Sequence, residues 1–374
     1  MPEFFAATSK GLSEALQQEL IEIGVKPTQL TAGGVYFESN WEGCYKVNLY
    51  SRIASRVLKP VLDFYAYQPE ELYEQIRTHN FTKYIKPNQT FSIEASVSDC
   101  KIHDQRFLAM KVKDAVADQF RDAFGIRPDV EKKNADLKIH IRGHKNEYSV
   151  AIDTTGEALF MRGYRLEAGE APLKETLAAG LIKLSGWDAK SPIVDFMCGS
   201  GTFLIEAALM ALNIAPGTLK KGFAFQKFIQ YDESIWDRLL EEALDQEKES
   251  LDFQLFGYDL DRQVLKKAKE NAVRAGVADV ISFKCEPVAT VEPPVEKGLI
   301  IVNPPYGTRI GDEDNLKDVY RDLGFTLKHR FKNWDAWLLS GNKDLIADLK
   351  LKSTRKFFVM NGPIECRFLK YSMF

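Results

Sequence analysis

No stretch of this chain approaches the ~20 consecutive apolar residues of a membrane-spanning helix. The opening Met1-Pro-Glu-Phe-Phe lacks the basic-then-apolar pattern of a secretory signal. Cysteine is scarce and scattered: the five residues, Cys44, Cys100, Cys198, Cys285 and Cys366, form no Cys-x-x-Cys pair, which argues against a disulfide framework and against a zinc site. Charge of one sign is lacking as well. Fifty Lys and Arg stand against 53 Asp and Glu for a net charge of -3, so the chain as a whole carries no signature of a nucleic-acid binder, and any RNA contact must come from local patches. The expectation is a reduced, cytoplasmic protein without a metal.

What is present is an ordinary globular composition, 45% hydrophobic and 28% charged, in 374 residues, long enough for two or three compact units. Residues 1–66 read as strand (4–8), amphipathic helix (11–23, with Leu12, Leu16, Leu20 and Ile23 on one face), a strand pair turning at Gly33-Gly34, helix (41–50) and strand (56–64). That βαββαβ order is the order of a ferredoxin-like unit. Residues 67–165 form a second α+β unit: a helix opened by Gln68-Pro-Glu-Glu, an alternating strand (91–97), a long helix (104–124) and two further strands (137–141 and 148–152) that turn near Gly143. Its cations include Lys101, Arg106, Lys132, Lys133, Arg142, Lys145, Arg162 and Arg165. Acidic residues nearly balance them, so they form either a solvated face or a surface that gathers phosphates.

Glu167-Ala-Gly-Glu-Ala-Pro-Leu reads as a linker, and Pro172 opens a helix carrying Leu173, Leu177, Leu181 and Leu184 on one side. Beyond it, strands alternate with helices, the pattern of a mostly parallel α/β sheet. The first strand runs into Asp195-Phe-Met-Cys198-Gly199-Ser200-Gly201-Thr202-Phe-Leu204. Two glycines let a ligand approach the backbone where a helix begins, but a dinucleotide fingerprint would need a third glycine at Leu204. Asp195 would repel a phosphate and attract a cation, which suits the sulfonium and amino groups of S-adenosylmethionine. The second strand ends at Asp259-Leu260-Asp261, where a carboxylate could accept both ribose hydroxyls of a nucleoside; Asp259 lies nearest the strand end, with helix capping as its alternative role. The long spacing between these strands requires an insertion at about 212–250, holding Lys220-Lys221, the aromatics Phe223, Phe225 and Phe228, and an acidic helix; the aromatics read as packing rather than base stacking. After a third strand (280–283), Glu286 could reach an adenine ring.

The most informative stretch is Gly298-Leu-Ile-Ile-Val-Asn303-Pro304-Pro305-Tyr306-Gly307. A buried apolar strand stops where two prolines remove backbone donors and restrict φ, and in an open α/β sheet ligands bind at that carboxyl end. Asn303 offers an amide, the Asn303 and Pro304 carbonyls offer acceptors, and Tyr306 offers a flat ring, a set suited to an exocyclic amino group on a planar base. Helices and strands follow to a final antiparallel pair (357–360 and 364–371) joined at Asn361-Gly362, so one strand of the last sheet should be reversed.

With both motifs in place, the chain resembles the S-adenosylmethionine-dependent amino methyltransferases. It resembles more closely the THUMP-domain RNA methyltransferases of the bacterial 23S ribosomal RNA guanine-N2 family. The resemblance covers nearly the whole chain. It implies a ferredoxin-like unit (1–66), a THUMP RNA-binding domain (67–165) and a Rossmann-like methyltransferase domain (166–374), whose mostly parallel, doubly wound sheet has one antiparallel strand. By the same resemblance, S-adenosyl-L-methionine is the cofactor, held by Asp195, Cys198, Gly199, Ser200, Gly201, Thr202, Asp259, Leu260 and Glu286. Asn303, Pro304, Pro305 and Tyr306 are then catalytic, and the cations of the second unit are RNA contacts. The match departs at Glu286, where related enzymes more often show Asp. The catalytic tetrapeptide is shared with DNA adenine-N6 enzymes, and the architecture with transfer-RNA guanine-N2 enzymes. A non-catalytic ribosome-assembly factor is the reading from a different class.

Overall fold

The computed structural model describes residues 2–165, 173–306 and 313–374, apart from the side chains at 313 and 314. The linker read at Glu167, the helix start at Pro172, and Gly307 next to Tyr306 lie outside the described residues.

The first half contains β1 (Glu3–Ala7), α1 (Ser13–Ile23), β2 (Lys26–Thr31), β3 (Gly34–Glu38), α2 (Trp41–Tyr50), β4 (Arg56–Tyr65), α3 (Pro69–Arg77), β5 (Thr90–Ser98), α4 (Gln105–Phe124), β6 (Asp129–Val130), β7 (Leu137–His144) and β8 (Glu147–Asp153). Side-chain oxygens start several helices by accepting otherwise unpaired amides: Asn40 takes the Gly43 N–H, and Asp104 takes those of Arg106 and Phe107. The strands do not form two sheets, one per unit. They form a single eight-stranded sheet in the order β2-β3-β1-β4-β8-β7-β5-β6, in which β4 pairs with β1 on one side and with β8 on the other. Pro60, at the shared strand, has no N–H to donate, and the β4–β8 register shifts between Pro60 and Leu62.

The second half contains α5 (Glu175–Ser185), β9 (Ile193–Asp195), α6 (Thr202–Ala211), α7 (Glu233–Asp245), β10 (Leu255–Asp259), α8 (Arg262–Arg274), β11 (Ile281–Cys285), β12 (Leu299–Val302), α9 (Glu313–His329), β13 (Asp335–Ser340), α10 (Lys343–Asp348), β14 (Arg355–Asn361) and β15 (Ile364–Ser372). Its seven-stranded sheet has the order β11-β10-β9-β12-β13-β15-β14. β9 to β13 pair in parallel, and β15 is antiparallel to both neighbours. The reversed strand is therefore second from the edge. All four residues of β12 are buried, as a central parallel strand covered on both faces requires. From β9 the chain proceeds outward through β10 and β11, then returns to the other side at β12. The carboxyl ends of β9 and β12 thus meet where the strand order reverses, the place where open α/β sheets bind ligands.

The insertion before β10 joins the halves. Phe225 stacks on Tyr45 of α2 with ring centroids 4.4 Å apart, Phe223 and Phe225 sit against Trp236 of α7, and Phe228 packs edge-on to Trp41 and Tyr84. Phe223, Phe225 and Phe228 are all buried, so they pack and present no face to a base.

Candidate active site

A cavity of about 1450 Å³ opens at the carboxyl ends of the parallel strands. Asp195, the last residue of β9, lies beneath it, only 2% exposed, with one carboxyl oxygen accepting the Met197 N–H at 3.1 Å. Burial, reinforced by the neighbouring Asp259 charge, pushes its carboxyl up to about 8, so in this arrangement the group holds a proton at neutral pH. It does not line the cavity; Phe196 and Met197 do.

The glycine turn that follows is a scaffold of backbone bonds. Gly201 N–H donates to the Cys198 carbonyl at 2.8 Å, Cys198 N–H to the Tyr258 carbonyl at 2.9 Å, and Asn271 of α8 donates to the Ser200 carbonyl at 3.0 Å. Thr202 accepts a bond from Arg165. Gly199 and Gly201 have φ of +54° and +83°, a region that side chains disfavour. Of this turn only Gly199 lines the cavity, and an atom at its Cβ position would meet nothing within 4 Å. Cys198, Ser200, Gly201 and Thr202 hold the turn from behind; burial drives the Cys198 thiol well above its ordinary range, which keeps it an inert thiol.

Asp259 and Leu260 line the same cavity. Asp259 accepts the Gly199 N–H at 2.9 Å on one oxygen and the Asp261 N–H at 3.0 Å on the other. The cap of α8 is Asp261, whose oxygen takes the Gln263 and Val264 amides, so Asp259 is free of the capping role. Leu260 is 68% exposed, an apolar face beside a carboxylate. Glu286 is not brought to the cavity: Lys284 holds its carboxylate at 2.6 Å, and Pro287, Val288 and Ala289 line the wall there instead.

Asn303, Pro304, Pro305 and Tyr306 all line the cavity, at the end of β12. The Asn303 Oδ1 is buried with no hydrogen-bond partner, the kind of orphan acceptor that a ligand donor satisfies. Tyr306 is half-buried, and burial pushes its phenol up to about 12. Asn361 at the end of β14 donates to the Tyr306 hydroxyl at 2.8 Å and lines the cavity beside Gly362, Pro363 and Ile364. Sequence reasoning missed Asn361 and Asn271, because each acts from a strand or helix remote in sequence and carries no local motif.

The opposite wall comes from the segment after β8, including Phe160 and Met161, and from the insertion, including Lys220 and Lys221. Lys220 is committed to structure, donating to the Ala158 and Met161 carbonyls. Two cations expected on an RNA-facing surface are corrected. Arg162 is 1% exposed and pairs with Glu206 at 3.2 Å, and Arg165, 9% exposed, is taken by Glu175 and Thr202. Both turn toward buried carboxylates on α6 and α5, and there they form part of the wall of the cavity. The other six, Lys101, Arg106, Lys132, Lys133, Arg142 and Lys145, are exposed. They fall in two groups. Lys101 and Lys145 meet beyond the end of β5, where Lys101 N–H binds Asn146 and Lys145 N–H binds Ser98, with Arg106 and Arg142 nearby. Lys132 and Lys133 follow β6 at the other end of the nine-residue β5, roughly 27 Å away at 3.3 Å per residue.

A family model described as the RMKL-like methyltransferase domain matches residues 162–370; models of the THUMP domain and of the RlmL ferredoxin-like domain match residues 66–153 and 3–58. A Synechocystis sp. protein named as RNA methyltransferase slr0064 is 39% identical over 371 residues, covering 99% of this chain and 97% of the relative. The ribosomal RNA large subunit methyltransferase K/L of Psychromonas ingrahamii is 40% identical over 376 residues, which cover 99% of this chain and 50% of that relative, so the chain spans about half its length. Among solved structures, the methyltransferase SMU.472 in complex with SAH is 30% identical, with a TM-score of 0.92 and coverage of 100% of this chain and 98% of that one.

Proposed function

The chain belongs to the RMKL-like methyltransferase family, whose members use S-adenosylmethionine, and on that premise we propose that it methylates the exocyclic N2 of a guanosine in large-subunit ribosomal RNA. The observation that carries this reading is the buried, unpartnered Oδ1 of Asn303 on the same cavity as Gly199 and Asp259. In this reading residues 67–165 gather the RNA, naked or as an assembly intermediate, and residues 166–374 carry the chemistry in the cytoplasm. The exposed lysines and arginines of the first group supply phosphate contacts.

When bound, S-adenosylmethionine supplies an electrophilic methyl group on a sulfonium. The residues fit it: Gly199 allows close approach of the backbone, Asp259 keeps lone pairs free for ribose hydroxyls, and Leu260 and Val288 give apolar faces for a ring. Asn303 Oδ1 and the Pro304 carbonyl accept the N–H groups of the target amine and orient its lone pair, while Tyr306 offers its ring to a base taken out of its stack. An amine conjugated to a purine is a poor nucleophile, so acceptors aimed at the positive charge that develops on nitrogen lower the barrier. The two prolines hold this turn with few accessible conformations.

The test is methyl transfer from labelled S-adenosylmethionine to separated ribosomal RNA, transfer RNA and DNA from cells lacking the protein, followed by nucleoside identification. N2-methylguanosine in large-subunit RNA is expected; label confined to transfer RNA, or N6-methyladenosine in DNA, overturns the assignment. Asn303→Ala and Tyr306→Ala should each lower kcat by about 100-fold or more, the scale of losing one oriented transition-state contact, while cofactor affinity changes only a few-fold.

A further inference from the structure

The cavity has a wall that the sequence motifs do not announce: the turn between β14 and β15. Asn361 of that turn donates from Nδ2 to the Tyr306 hydroxyl at 2.8 Å, 55 residues away in sequence. Cys366 on β15 lies at 4.0 Å from the same oxygen, a weak contact that leaves Asn361 as the principal partner. The ring itself lies against Gly341, just beyond β13: a Cβ at that position would stand 3.2 Å from ring carbons Cδ2 and Cε2. The turn is in turn tied to the N-terminal half, since Met360 N–H, next to Asn361, donates to the Lys10 carbonyl at 3.1 Å.

These restraints divide the work. The hydroxyl oxygen lies on the axis about which the ring spins, so a bond there does not stop the spin. It stops the whole side chain from swinging about χ1, and the close approach of Gly341 sets the plane of the ring. Without the bond, the Tyr306 hydroxyl keeps only the weak Cys366 contact, and the side chain is held by ring packing against Gly341 and the core and by the backbone of a turn that contains two prolines. We propose that Asn361 is a positioning residue for Tyr306, holding its ring where the target base is to stack. This rests on the reading of Tyr306 as the stacking residue given above. In the same reading S-adenosylmethionine is held by Gly199, Asp259 and Leu260 rather than by these two groups, so the effect belongs to turnover.

The experiment is a double-mutant cycle on the full chain with large-subunit RNA as acceptor, measuring kcat, RNA KM and, by calorimetry, S-adenosylmethionine affinity. Asn361→Ala and Tyr306→Phe remove the same bond from its two ends, so each should lower kcat by about 5- to 20-fold with cofactor affinity unchanged, and the double variant should be no worse than either. Asn361→Asp, whose carboxylate can accept the phenol proton, should recover to within about 3-fold of the parent. Multiplying losses in the double variant, or parental kcat in Asn361→Ala, overturns the proposal. Should Asn361→Ala fail to fold, Tyr306→Phe with Asn361→Asp carries the test: parental turnover in Tyr306→Phe overturns it. Tyr306→Ala separates the two levels, because full turnover there defeats the stacking reading itself.

Discussion

A protonated carboxyl beneath a cofactor cavity makes ligand binding sensitive to pH, and Asp195 is in that position. Its carboxyl is raised from 3.8 to about 8, chiefly by burial; the Met197 amide pulls the other way, and the Asp259 charge adds a smaller upward push. Between those two values the folded chain holds a proton that the unfolded chain has released, so this group lowers stability as pH rises from about 4 to 8. A cationic ligand above it reverses the preference and draws the proton off. S-adenosylmethionine binding at pH 7 should therefore release a fraction of a proton, and its affinity should rise with pH until about 8, by at most tenfold per unit. Calorimetry in buffers of different ionisation heat reads the release directly. It should disappear in Asp195→Asn and be smaller with S-adenosylhomocysteine, which lacks the sulfonium charge; equal release with both ligands would remove Asp195 from the account.

At the scale of elements, the methyltransferase half is pinned through α6. Glu206 on that helix is fully buried and accepts from Arg162 at 3.2 Å and from the Tyr164 hydroxyl at 3.1 Å. Arg162 spends its other donors on the Leu159 and Arg52 carbonyls at 2.9 and 2.7 Å. Burial alone would pull the guanidinium down, but Glu206 beside it keeps it charged. Removing either partner strands a charge in the interior, a loss of about 3–5 kcal/mol. Arg162→Ala should show that loss in urea unfolding, whereas Lys101→Ala on the surface should fall within about 0.5 kcal/mol of the parent. Equal effects would mean the pair is not the anchor that its burial implies.

At the scale of the molecule, one sheet spans the first two units, and an aromatic cluster binds them to the third. Tyr45, Phe223, Phe225 and Trp236 stack across the seam between α2 and the insertion. Truncating a fully buried aromatic at such a place costs about 3–5 kcal/mol. Phe225→Ala should accordingly lower the midpoint of unfolding for both halves together in calorimetry. Separate transitions, with only one moving, would show the halves to be energetically independent.

Much of the fold was legible in local pattern. The alternation of β7, the wholly apolar β12 and the helix caps each arise from forces acting over a few residues, so the order of elements and the reversed final strand followed from them. Asn303 to Tyr306 were legible because an apolar strand ending in two prolines leaves polar groups at a strand end wherever it occurs. Other features were settled only by contacts between residues far apart in sequence. These include the shared eight-stranded sheet, the role of the insertion, Asn361 on Tyr306, and the split of the exposed cations between two ends of β5. The same reason moved Arg162 from an expected RNA surface to the interior. A cation in a sequence is the same symbol whether it faces water or a buried carboxylate, and only the packing of α6 supplied Glu206.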